Sequence, residues 1–284
     1  MSKKNFNDKR SGKWDSKLQN EPTAVTPKKH LGQHFLNDKT ISERIAGSLT
    51  FFGDYKDLIE IGPGTGALTE FLVPFKNVNL HLMDVDDESI DFLNKNYKDK
   101  VKNILHADFL NYDLNKISEG KIGIIGNFPY NISTQILFRV LDFKDRIPEV
   151  VGMFQKEVAM RIAEGPGSKD YGIISVLLQA YYDIEYLFTV DEHVFIPPPK
   201  VKSGVIRLKR NSVEKLDCDE ELFKKVVKAC FNQRRKMIRN SIRTIAPELK
   251  DHSFFTLRPE QLSVAQFVEL TKVISDLEIS KNEI

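Results

Sequence analysis

The feature that most constrains this chain is a glycine-rich bend set between an apolar run and a helical pattern. Leu58-Ile59-Glu60-Ile61 reads as a short buried strand. Gly62-Pro63-Gly64-Thr65-Gly66 follows without a spacer, ahead of the helical segment Ala67 to Leu72. Glycines let the backbone turn sharply and let a ligand approach it closely. Downstream, strands and helices keep alternating. Residues 78–85, 101–108, 121–127 and 149–155 read as further strands, and 88–97 and 133–141 as helices. The stretch 156–181 reads as two helices broken by the loop 165–172. Residues 183–190 and 203–210 read as a closing antiparallel pair separated by Pro197-Pro198-Pro199. This alternation predicts an α/β fold on a doubly wound, mostly parallel sheet. Beyond 210 the apolar spacing is helical, which predicts a small C-terminal all-helical domain over 211–284 with its last helix starting at Pro259.

In a doubly wound sheet a ligand sits beyond the carboxyl ends of the strands. Asp84 ends the second predicted strand, about 20 residues past the bend, where an acid can bond ribose hydroxyls. Asp108 ends the third, where a carboxylate can accept a hydrogen bond from an adenine amine. Bend, ribose acid and adenine acid together describe an adenosine pocket. The spacing Gly62-x-Gly64-x-Gly66 lacks the third position of the dinucleotide fingerprint, and the fourth strand decides the ligand. It ends in Asn127-Phe128-Pro129-Tyr130. The lone pair of an adenine N6 is delocalised into its ring, so the amine is a poor nucleophile. The Asn127 side-chain oxygen and a carbonyl of the Phe128-Pro129 bend can accept its two protons and favour a pyramidal nitrogen. Tyr130 can stack on the base. Such a site transfers a methyl group to an amine by positioning alone, given an activated sulfonium donor.

Charge adds a partner. The chain carries 42 Lys/Arg and 40 Asp/Glu, but unevenly. Residues 1–29 hold eight bases and three acids, and residues 222–247 hold eight bases and no acid. Two basic segments on an acidic body fit a polyanion. Within 231–243, Phe231, Ile238, Ile242 and Met237 are expected to face the body, leaving Arg234, Arg235, Lys236, Arg239 and Arg243 for RNA phosphates. The loop 165–172 is small enough to bend around a substrate. Residues 1–26 read as a disordered basic arm. Cys218 and Cys230 lack metal-ligand spacing and are expected to be reduced thiols. His30 and His34 have helical spacing but no third ligand, so no metal site is expected. No run of about 18 apolar residues predicts a membrane span, and the Lys-rich start lacks the apolar core of a secretory signal.

The stretches LGQHFLND (31–38), EIGPGTGALT (60–69), HADFL (106–110), GNFPYNIS (126–133), FQKEVAMRI (154–162), FIPPPKVKSGVIRL (195–208), FNQRRKMIRNSI (231–242) and RPEQLSVAQF (258–267) occur in one order. Through them the chain resembles the KsgA/RsmA family, the small-subunit ribosomal RNA adenine N6,N6-dimethyltransferases, over about 27–284. The resemblance implies a Rossmann-like class I methyltransferase with a mostly parallel seven-stranded sheet over 27–210. It implies S-adenosylmethionine as cofactor and dimethylation of two adjacent adenines in a hairpin near the 3′ end of 16S rRNA. The partner would be a 30S pre-ribosomal subunit, met in the cytoplasm by a monomer. Family cofactor contacts carry over to His34, Leu36, Gly62, Asp84, Asp108 and Asn127. Base-holding residues carry over to Asn127, Tyr130 and Phe195, with Phe128 and Pro129 forming the bend. His34 stands where the family usually has asparagine, Asp84 where many members have glutamate, and Phe128 where leucine is commoner. The alternatives are a 23S rRNA adenine methyltransferase and an assembly factor acting mainly by binding.

Overall fold

Strands buried on both faces must be covered by helices on both sides, and the apolar runs here dictate that arrangement. The computed structural model describes residues 25–282, with side chains through 277. The basic arm therefore lies outside the described residues except for its last two positions. Val25 is buried, and the Thr26 N–H donates to Glu88.

After a two-residue strand β1 (Phe35–Leu36) and helix α1 (Lys39–Ala46), the first half of the sheet is built from β2 (Asp57–Ile61), α2 (Thr69–Leu72), β3 (Asn79–Asp84), α3 (Asp87–Tyr97) and β4 (Asn103–His106). The second half is β5 (Ile122–Asn127), α4 (Ser133–Asp142), β6 (Glu149–Gln155), α5 (Lys156–Ala163), α6 (Ile173–Gln179), β7 (Tyr182–Val190), the two-residue β8 (Phe195–Ile196) and β9 (Ser203–Arg210). Seven strands form one sheet in the order β4-β3-β2-β5-β6-β9-β7. The first five run parallel, and β9 is antiparallel to both β6 and β7. The strand order reverses between β2 and β5, so their carboxyl ends flank a crevice. Aspartates start the helices: Asp38, Asp86 and Asp219 each accept a first-turn N–H of α1, α3 and α7 (Glu220–Asn232).

The helical region adds α7, α8 (Ile238–Ile242) and α9 (Val264–Asn282). It has no core of its own. One apolar cluster runs from Ile59 in the sheet through Tyr171 and Phe231 to Ile274. Pro259 does not open the last helix as expected. It starts a three-residue 3-10 turn, and α9 begins at Val264. The reason is a reciprocal capping box: the Ser263 N–H donates to Gln266 Oε1, and the Gln266 N–H donates to Ser263 Oγ. Between α7 and α8 the helix is broken: α7 stops at Asn232, and the Ile238 N–H turns to the carbonyl of Leu257.

The tip of β5 rests on a close approach. Phe128 is buried and meets Phe154 edge-on at 5.2 Å. A Cβ on Gly152 would lie 2.4 Å from Phe128 and 2.7 Å from Phe154. Gly152→Ala is expected to overpack this contact and cost about 1–3 kcal/mol, read as a lowered midpoint in urea unfolding.

Candidate active site

The site is assembled by the bend after β2. Gly62 and Gly64 have φ of 68° and 54°, the left-handed region that favours glycine. The Gly62 N–H donates to the Met83 carbonyl at 2.9 Å. The Gly64 N–H donates to Asp84 Oδ2 at 3.1 Å, and Asp84 Oδ1 accepts the Asp86 N–H at 3.0 Å. Asp84 is thus buried and bonded into the bend that it serves. Burial pushes its carboxyl up, partly offset by the bonds from Asp86 and Gly64. Phe35 of β1 covers the bend: a Cβ on Gly64 would lie 2.7 Å from its ring. A Cβ on Gly62 would instead enter the space in front of Pro129 and the Asn127 carbonyl, 3.8 and 3.9 Å away. That space is the cradle that the glycine leaves open.

Asn127 sits at the end of β5, half-buried. Its Nδ2 donates to the His34 carbonyl at 2.9 Å. A carbonyl only accepts, so the amide nitrogen must face it, and Oδ1 is left as an acceptor. Tyr130 shares a 2.6 Å hydrogen bond with the Ser203 hydroxyl. Burial pushes its phenol up, and the Ser203 bond opposes that. The His34 Nδ1 donates to the Pro197 carbonyl at 2.7 Å, and its ring stacks on Tyr130 with centroids 5.6 Å apart.

His34, Gly62, Asp84, Asp108, Asn127, Phe128, Pro129 and Tyr130 line one cavity. Asp108 lies two residues beyond the end of β4 rather than in it, because pairing with β3 stops at His106. Its oxygens accept from the Leu110 N–H and the Asn111 side chain. Leu36 and Phe195 are not on the lining. They pair with each other across β1 and β8, and strand alternation turns both inward to the core while Phe35 and Ile196 take the other face. The cavity also gains Phe35, Val85 and Asn131, which the sequence reading missed. An apolar residue directly after the strand-end acid was the available signal for Val85.

The basic segment divides. Phe231, Ile238 and Ile242 are buried as expected, whereas Met237 is exposed. Arg235, Lys236, Arg239 and Arg243 are exposed. Arg234 is committed elsewhere: its guanidinium donates to the carbonyls of Ser168 and Lys169 and lies 3.9 Å from Glu260. The Gly167 N–H donates to the Glu260 carbonyl, so the loop 165–172 is fastened to the helical region rather than free to wrap. Cys218 and Cys230 are free thiols. Among the described residues no group of three His, Cys, Asp or Glu side chains could hold a metal ion, and no helix is long and apolar enough to cross a membrane.

Residues 25–276 match the family described as ribosomal RNA adenine dimethylase. A ribosomal RNA small subunit methyltransferase A of Cytophaga hutchinsonii is 56% identical over 253 residues, 88% of this chain and 98% of that one. The protein of the same description from Flavobacterium johnsoniae is 54% identical, over 88% of this chain and 96% of its own. Among solved structures, a dimethyladenosine transferase from Plasmodium falciparum has a TM-score of 0.72 at 20% identity, covering 88% of this chain and 99% of its own. The 23S rRNA methyltransferase ErmE has 0.63 at 24%, covering 84% and 99%. At those identities the two structures share the fold.

Beneath the bend, Glu60 is fully buried and accepts from the Thr69 hydroxyl at 2.6 Å. Burial pushes its carboxyl up to about 8, against the Thr69 bond and with help from Asp84. Above pH ~4.3 an unfolded glutamate has lost its proton, while the folded one keeps it until about 8. Folding stability from this group is therefore full at low pH and falls as pH rises through that window, by roughly 1 kcal/mol per pH unit. Asp84 adds a slope of the same sign. Glu60→Gln should flatten the decline between about pH 5 and 8, measured by urea unfolding at a series of pH values.

Proposed function

The chain belongs to the ribosomal RNA adenine dimethylase family, and from that premise we propose that it dimethylates N6 of two adjacent adenines in a hairpin near the 3′ end of 16S rRNA. The substrate is a pre-ribosomal 30S particle in the cytoplasm, the enzyme acts as a monomer, and S-adenosylmethionine is the methyl donor. The observation that carries this reading is the convergence of the glycine bend, Asp84, Asp108 and the Asn127-Phe128-Pro129-Tyr130 tip on one cavity. The choice of the small subunit is supported by relatives of that description at 51–56% identity.

S-adenosylmethionine supplies a methyl group already activated on a sulfonium. Gly62 would leave room for it. Asp84, buried and held by two backbone N–H groups, would bond the ribose with its remaining lone pairs, and Asp108 would accept from the adenine amine. The acceptor adenine leaves its stack to reach the cavity. Asn127 Oδ1 and a carbonyl of the Phe128-Pro129 bend would accept hydrogen bonds from N6, two in the first transfer and one in the second, and favour a pyramidal nitrogen. Tyr130 stacks on the base. Positioning suffices, and the proton released after transfer goes to water. Arg235, Lys236, Arg239 and Arg243 meet phosphates, while Arg234 holds the loop 165–172 in place.

The test is mass spectrometry of 16S rRNA from under-methylated 30S particles incubated with the protein and labelled methyl donor. Two dimethyladenosines are expected. Asn127→Ala should keep RNA binding and slow transfer about 10²–10³-fold, the usual cost of removing one preorganised hydrogen-bonding group. Absence of label with folded wild-type protein, or full dimethylation by Asn127→Ala, would overturn the reading.

A further inference from the structure

Tyr130 is anchored from outside the tip that carries it. Its hydroxyl shares a 2.6 Å hydrogen bond with the hydroxyl of Ser203. We propose that Ser203 is a positioning residue for methyl transfer, holding the Tyr130 ring in the direction that meets the acceptor adenine. The inference rests on the reading that Tyr130 stacks on that adenine, and adds to it the group that aims the ring.

Ser203 is the fixed end of this bond. It is fully buried, and it opens β9 between two strands, opposite Gln155 of β6 and Val190 of β7. The residue before it is pinned as well, because the Lys156 N–H donates to the Lys202 carbonyl at 2.9 Å. Tyr130 is the end that needs holding. It lies past the end of β5 and ahead of α4, where no ladder of backbone bonds fixes it. Its carbonyl accepts from Ser133 Oγ at 3.2 Å, which places the backbone. A bond at the phenol hydroxyl then fixes the direction of the ring axis. The His34 imidazole stacked on the ring restrains rotation about that axis.

Ser203 lies behind the cavity rather than on it. Asn127, Pro129 and Tyr130 line the cavity, and Ser203 does not. It therefore acts on the reaction through Tyr130. Transfer from an activated donor depends on geometry, so a tilted ring would carry the base and its N6 away from Asn127. The bond is also costly to leave half-made, since a buried hydroxyl stripped of its partner is destabilised. The two side chains thus hold each other. Two separate elements aim the two sides of the acceptor site. The segment ahead of α1 aims Asn127 through the His34 carbonyl, and β9 aims Tyr130 through Ser203.

The experiment is a double-mutant cycle on the full chain, with Ser203→Ala, Tyr130→Phe and the two combined. Methyl transfer to under-methylated 30S particles is timed with both substrates saturating, beside calorimetric affinity for S-adenosylmethionine and urea unfolding. Tyr130→Phe keeps the ring and deletes only its hydroxyl. Each single variant should slow transfer about 3- to 10-fold, the rate equivalent of one neutral hydrogen bond. The double variant should be no slower than the slower single, because both changes remove the same bond. Donor affinity after Ser203→Ala should match the wild type. If Ser203→Ala transfers at the wild-type rate and only its urea midpoint falls, the bond is structural and the proposal fails while the adenine reading stands. Losses that multiply in the double variant would also overturn it, since Ser203 would then act by a route other than the phenol. Should Ser203→Ala fail to fold, Tyr130→Phe decides alone, and a wild-type rate from it sinks the proposal. If folded wild-type protein transfers no methyl group, the functional reading fails and takes the proposal with it.

Discussion

The structure depends on one buried carboxylate. Asp84 closes β3, accepts the Gly64 N–H from the neighbouring strand's bend, and accepts the Asp86 N–H at the entrance to α3. A buried anion without such donors would cost several kcal/mol. Here the donors are backbone groups of the very segments that must be placed. One side chain thus fixes the glycine bend, the tip of β3 and the start of the following helix relative to each other. The cavity exists because these three pieces cannot drift apart.

A second layer closes over this base. The segment ahead of α1 crosses the carboxyl ends of the strands and is fastened at several points. Lys28 pairs with Asp86 and Glu88, Phe35 covers Gly64, the His34 carbonyl holds Asn127, and β1 pairs with β8. Each fastening joins residues far apart in the chain. The tip of β5 is therefore oriented from outside the sheet as well as from beneath, where Phe128 packs on Phe154.

The helical region is bound to the sheet domain by apolar packing and by its charge. Phe231 meets Tyr171 and Phe267, and Arg234 with Glu260 pins the loop 165–172. One arginine of the basic cluster is spent on that joint. Arg235, Lys236, Arg239 and Arg243 stay exposed on a region joined to the sheet by a continuous core.

The local facts were legible in the chain. Alternating apolar runs set the strands, helices and parallel sheet, since burial on two faces leaves that pattern. The bend and the Asn127-Phe128-Pro129-Tyr130 tip pointed to one place, and both line the same cavity. Capping at Ser263 was written in the sequence as Ser-x-x-Gln, yet Pro259 gave a competing signal for the same helix. Only the tertiary structure decided where side chains of two-residue strands point. Leu36 and Phe195 turned to the core, Phe35 and Ile196 away from it, because register between β1 and β8 is a long-range pairing that flips every face with a one-residue shift. It likewise decided that Arg234 serves a loop, that Asp84 serves its own bend, and that His34 lies against Tyr130. Sequence specifies which groups a chain possesses, but contacts between distant residues choose which of them remain free to meet a ligand.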